Sequence, residues 1–200
     1  MNITTITNGM QVVNKLDTLS LAIEGIKEIG KIIFTMAKVL GVIKSEMNMQ
    51  ELGDKALQAE AEGITPEKYE TYSAYVEALN DYTLDPERSQ KIPEELKEMK
   101  GVELAICLLV EKFVETPIVS FLEAIIDNPN YFDDKKIEVI SEIINENKSF
   151  ISDFLNYISG QEKDENKLND IRNELVEVEK KVHPEISDKE AYKLVMEIRR

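Results

Sequence analysis

Three observations place this chain in the all-α class. Glycine and proline number only 8 and 6 among 200 residues, and long segments without either favour helices over many short strands. Apolar residues recur at steps of three, four and seven, which is the helical period. Apolar residues also make up 42% of the chain, enough for a packed core. The expected architecture is a single irregular multi-helix bundle of eight or nine helices, with a long N-terminal helix in its core. It would occupy residues 9–200 after a short tail at 1–8, with the connector 82–92 as the candidate boundary within it.

The first element runs from Val12 to Ile43. Val12, Leu19, Ile26, Ile33 and Leu40 recur every seven residues, and Leu16, Ile23, Ile29, Met36 and Ile43 fill in between them. That pattern predicts one amphipathic helix, or two in tandem. Gly25, Gly30 and Gly41 lie inside it, each costing about 1 kcal/mol against alanine in a helix interior. They predict close packing against another helix, or a break near Gly25–Gly30. A second helix, from Met47 to Glu62, carries Leu52, Ala56, Leu57 and Ala59, and Gly63 ends it.

Thr65-Pro66 reads as an N-cap followed by proline at the first helical position. The helix it predicts reaches Asn80 with Tyr69, Tyr72, Val76 and Leu79 on one face and Tyr75 at its edge. Tyr82 to Pro93 is an irregular connector with one turn after Asp85-Pro86. Pro93 opens a helix to Glu115 with Leu96, Met99, Val102, Ile106, Leu109 and Phe113 inward. Its segment Leu104–Val110 is apolar all round, which marks the central helix.

Thr116-Pro117 starts a short helix to Ile126, and Asn128-Pro129-Asn130 is a turn. Asp133 caps the next helix, which buries Ile137, Ile140, Ile143 and Ile144. Ser149 caps another that ends at Gly160 and carries Phe150, Phe154, Leu155 and Ile158. Leu168, Ile171, Leu175, Val178 and Val182 alternate steps of three and four, a coiled-coil-like seam that can pair within the chain or between two copies in a homodimer. Pro184 ends that helix. Ser187 to Glu190 reads as a capping box before a final helix with Ala191, Leu194, Val195 and Ile198.

The formal net charge is −15. The first fifty residues are nearly neutral and the middle hundred hold most of the excess acid. Such a surface repels nucleic-acid phosphates and anionic lipid and favours basic partners. Cys107 is the only cysteine, so no internal disulfide forms; one thiol in an apolar run fits a reducing, cytoplasmic setting. Met1–Gly9 lacks the basic start and apolar block of a signal peptide. No uncharged apolar run reaches the membrane-spanning length of about 18 residues; Ile29–Ile43 is broken by Lys31 and Lys38.

The chemistry-bearing motifs are few. His183 is the only histidine; with Glu179 one helical turn before it and Pro184 after it, it reads as a local pair or as a C-terminal cap of its helix. A dimetal carboxylate bundle needs two Glu-x-x-His pairs, and Lys180 occupies the glutamate position before the lone histidine. Asp127–Glu138 has the length of a calcium loop, but Pro129 replaces a ligand and Phe132 the glycine. No phosphate-cradling glycine motif is present. Cys107, between Ile106 and Leu108, reads as inert core. No catalytic residue, metal ligand or cofactor follows from these.

Two surfaces stand out. Asp134, Glu138, Glu142 and Glu146 follow one another at four-residue spacing. Like charges so placed destabilise a helix by about 0.2–0.5 kcal/mol per pair; the row reads first as a solvated face, and docking of a basic partner is the second reading. The second is residues 25–44, where Lys27, Lys31, Lys38 and Lys44 accompany a single acid, Glu28. That composition suits a bundle core, an interfacial membrane helix or a helix that inserts into a partner. The expected function is non-enzymatic: an acidic helical protein of inhibitor, immunity or adaptor type that docks a basic protein. The alternative is a membrane-active or secreted helical effector using residues 25–44.

Overall fold

A computed structural model describes residues 3–18 and 23–199, with side chains at 7–15 and 27–199. Among the described residues there are eleven α-helices and no strand. They are α1 (Ile3–Thr18), α2 (Ile23–Val39), α3 (Met49–Ala61), α4 (Tyr72–Asn80), α5 (Pro86–Ser89), α6 (Glu94–Lys112), α7 (Ile118–Asp127), α8 (Asp134–Glu146), α9 (Phe150–Ile158), α10 (Glu165–Val182) and α11 (Asp188–Glu197). A 3-10 turn, Pro66–Lys68, precedes α4. The helices fall into two compact units, Met1–Val114 and Glu115–Arg200.

The expected count of eight or nine is exceeded by two or three among the described residues. The first predicted helix is two elements in tandem, α1 and α2, rather than one long helix, and the turn after Asp85-Pro86 closes as the one-turn α5. Asp85 caps α5 by accepting from the backbone N–H groups of Glu87 and Arg88. Helix α1 already begins at Ile3, inside the expected tail. Leu19 lies outside the described residues, as do the side chains of Leu16, Ile23, Gly25 and Ile26. Helix α2 ends at Val39 because Gly41 turns the chain at φ +68°, a conformation that glycine adopts without a Cβ clash.

In the first unit α6 is the hub, and α1, α2, α3 and α4 all pack on it. Every residue from Leu104 to Val110 is buried, as an element apolar all round must be. The closest approach is between α3 and α6. A Cβ at Gly53 would lie 1.8 Å from the Lys97 carbonyl oxygen, and one at Gly101 would lie 2.2 Å from the Met49 carbonyl oxygen. The two helices thus touch backbone to backbone. Gly30 on α2 is also a packing contact, its Cβ position 2.9 Å from Val102 Cγ2. Helix α6 closes the end of α2, where Lys112 Nζ donates to the Leu40 carbonyl.

The hub also resets two sequence expectations. Leu96 and Met99 do not point inward; they are 46% and 41% exposed, because α6 meets α3 through its Lys97–Gly101 face. Thr65-Pro66 starts only the 3-10 turn, with no side-chain cap. Helix α4 begins later, at Tyr72, where Thr71 caps Ala74 at 3.0 Å. Glu111 of α6 adds a second cap from outside the helix, accepting from Tyr72 N at 2.7 Å, Ser73 N at 3.1 Å and Ser73 Oγ at 2.6 Å. A carboxylate there satisfies otherwise orphaned donors.

In the second unit α10 packs on α8, α9 and α11, while α7 packs on α9 and α8 on α9. The seam Leu168, Ile171, Leu175, Val178 and Val182 is buried inside this unit. A homodimer through it would require the unit to open. Phe121, Phe132, Phe150 and Phe154 form an aromatic cluster with ring centroids 5.4 to 6.2 Å apart. Ser187 and Glu190 form the expected capping box. On α11 only Ala191 and Val195 are buried; Leu194, expected inward, is 38% exposed.

Candidate interaction surface on α8

Helix α8 starts where its sequence places it. Asp133 adopts an extended conformation and its carboxylate accepts from Lys136 N at 2.8 Å. Ile137, Ile140 and Ile144 are fully buried at steps of three and four, and that stripe fixes which face turns outward. Asp134, Glu138, Glu142 and Glu146 are all exposed. Successive members rise by about 6 Å along the axis, so the row is about 18 Å long. Among the described residues none of the four carboxylates takes part in an ion pair, and Lys135 beside the first of them is exposed.

The buried side of α8 holds a residue that the apolar pattern does not explain. Lys136 is buried, and its Nζ lies 2.8 Å from Oε1 of Glu179 on α10, itself completely buried. The same ammonium sits 4.0 Å from the ring centroid of Tyr131. Burial, followed by the adjacent Glu179 carboxylate, pushes the Tyr131 hydroxyl pKa far above its usual range. Of the two expectations for His183, the side-chain pair with Glu179 does not form, whereas His183 does stand at the C-cap of α10, its backbone N–H donating to the Glu179 carbonyl at 2.8 Å. The Glu179 side chain turns inward to Lys136, and His183 Nδ1 lies 3.8 Å from Glu185 instead. The sequence signal was a lysine one position from Ile137 on the apolar side of the helix.

Further acid lies on the helices that pack on α8. A groove of about 260 Å³ is lined by Asn147, Asp153, Glu162, Lys167, Asp170 and Glu174. Burial and then the charge of Asp153 raise the Glu174 pKa above the ordinary carboxylate value. A second groove, about 320 Å³, lies between α7 and α9, with Ser120, Glu123, Asp127 and Asn156 in its wall. Among the described residues no group of three or more His, Cys, Asp or Glu is placed to hold a metal ion.

The basic segment has a different setting. Lys27 pairs with Glu98 of α6 at 3.2 Å, and Lys31 pairs with Glu28 at 2.9 Å. Lys38 lies 5.4 Å from the Phe34 ring centroid, and Lys44 is exposed. The apolar stripe of this segment, with Ile29, Ile33, Met36 and Leu40, is buried, with α2 packed on α6. Among the described residues no helix is long and apolar enough to cross a membrane.

Two polar clusters in the first unit look catalytic by residue type. Ser89 Oγ accepts from Lys97 Nζ at 3.0 Å, the pairing of a serine nucleophile with a lysine base. Asp54 lies 3.1 Å from the same ammonium and accepts from the serine hydroxyl. The Lys97 ammonium is thus shared between the Asp54 carboxylate and a hydroxyl that already donates to that carboxylate. Lys100 lies between Glu60 at 2.8 Å and Glu103 at 3.2 Å. Burial opposes its charge, but the two carboxylates outweigh that and raise its pKa, keeping the amine protonated. Tyr72 and Tyr75 are buried, and Tyr69 packs on Tyr75 with ring centroids 5.4 Å apart. Cys107 is buried with its thiol pKa pushed up to about 11, chiefly by burial. No protein-family model, curated protein or solved structure matches the chain.

Proposed function

We propose that this protein is a non-enzymatic binding protein that docks a basic protein partner on the outer face of α8. The observation that carries the reading is the row Asp134, Glu138, Glu142 and Glu146, exposed along one face and without an ion pair among the described residues. A solvated helix gains from alternating charges at this spacing and loses from repeated ones. A row of cations on a partner turns that repulsion into attraction. The wider acidic balance, −15 over the chain, steers a basic partner from a distance and speeds encounter. The alternative, membrane action through residues 25–44, draws less support because the apolar side of α2 is already covered by packing on α6.

The test compares wild type with the charge-reversal variant E138K/E142K/E146K. Partners captured by wild type from the native host are identified and purified, and association rates are measured at rising salt. The expected result is a fall in association rate of tenfold or more in the variant, and a steep salt dependence in wild type that the variant lacks. Circular dichroism should show the same helix content in both. Equal association rates would refute the reading.

A further inference from the structure

The segment 82–92 carries an arrangement that the binding reading does not use. No side chain in it is buried, and its apolar Tyr82, Leu84 and Ile92 are only half-buried. Its polar attachments converge on one stripe, Asp54 and Gln58 of α3 and Glu62 at the α3 C-cap, spaced by four residues. Asp54 accepts from the Ser89 hydroxyl. Gln58 grips the Asp85 backbone twice, its Oε1 accepting from Asp85 N at 2.9 Å and its Nε2 donating to Asp85 O at 3.2 Å. Glu62 pairs with Arg88 at 2.7 Å.

Asp54 is the joint of this row. It is 3% exposed, and besides Ser89 it receives Gln58 Nε2 at 2.9 Å and Lys97 Nζ at 3.1 Å. One carboxylate therefore ties the segment to α3 and to α6 together. Beneath it, the Gly53 and Gly101 contacts hold α3 to α6 without help from the segment.

We propose that residues 82–92 form a strap that unlatches from α3 as one unit while the α3–α6 core stays closed, with Asp54 as the latch. Segments held by polar contacts over little apolar surface open at lower free energy than the core they cover. Opening frees Asp54, Gln58 and Lys97 to solvent and leaves the buried Leu104–Val110 segment untouched.

Hydrogen exchange on the full chain, read by mass spectrometry, tests this. In wild type, peptides covering 82–92 should exchange faster than those covering 104–110. Asp54→Asn and Ser89→Ala should each speed exchange in 82–92 by tenfold or more, the order expected for losing a charge-assisted hydrogen bond, with 104–110 unchanged. Strap and core peptides exchanging in step in every protein would overturn the proposal. So would a strap rate in Ser89→Ala equal to wild type. Ser89 is not buried, so that variant decides the matter alone if Asp54→Asn does not fold.

Discussion

Replacing Gly53 by alanine tests whether the α3–α6 contact organises the first unit. The added Cβ would lie 1.8 Å from the Lys97 carbonyl oxygen and 2.8 Å from Gly101 N. A carbon and a carbonyl oxygen need about 3.3 Å, so α3 and α6 must part by roughly 1.5 Å, and close-packed interiors do not yield that without losing contacts. Both obstructing atoms are backbone, so no rotamer change relieves the clash. Overpacking of a core costs about 1–3 kcal/mol and occasionally more. A backbone clash belongs at or above the top of that range. Alanine's better helix propensity returns about 1 kcal/mol, leaving a net loss of about 2 kcal/mol or more. For a unit of this size that lowers Tm by about 8 °C or more. Thermal and urea unfolding followed by circular dichroism would measure it. Gly30→Ala is the internal control: its Cβ would meet only the Val102 Cγ2 methyl, at 2.9 Å, a side-chain rather than a backbone atom and a much longer approach. Its stability should stay within about 1 kcal/mol of wild type, the propensity gain offsetting the crowding. A Gly53→Ala protein as stable as wild type would refute the reasoning.

The buried pair on α8 should behave asymmetrically. Lys136→Met leaves the buried Glu179 carboxylate uncompensated and should cost about 3–5 kcal/mol, whereas the double variant Lys136→Met with Glu179→Leu should recover most of that. A double variant no more stable than the single one in urea titration would contradict this. Cys107 should resist a thiol reagent at pH 8 until the first unit unfolds, because burial holds its thiol pKa at about 11; immediate labelling of the native protein would count against it. The sign follows from that shift. The unfolded thiol titrates near pH 8.5, so the stability it contributes is complete below about pH 8.5 and is lost as pH rises toward the folded value.

The helical class, the central segment Leu104–Val110, the turn after Asp85-Pro86, the caps at Asp133 and Ser187, and the stop at Gly63 are legible in the sequence. Each depends on residues close in the chain: a period, a capping side chain, a glycine at φ +80° at Gly63. The outward direction of the acidic row on α8 is legible for the same reason, since it lies opposite the Ile137, Ile140 and Ile144 stripe. What depended on partners far along the chain was not. The start of α4 at Tyr72 is capped by Thr71 next to it and also by Glu111, 39 residues away. The inward turn of Glu179 rests on Lys136, on another helix. The exposure of Leu96 and Met99 follows from α3 meeting α6 through Gly53 and Gly101. Local free energies of helix formation and capping are set by neighbours within a turn or two. Which apolar face is covered, and which buried charge finds its counter-ion, is set by surfaces that only the folded chain brings together.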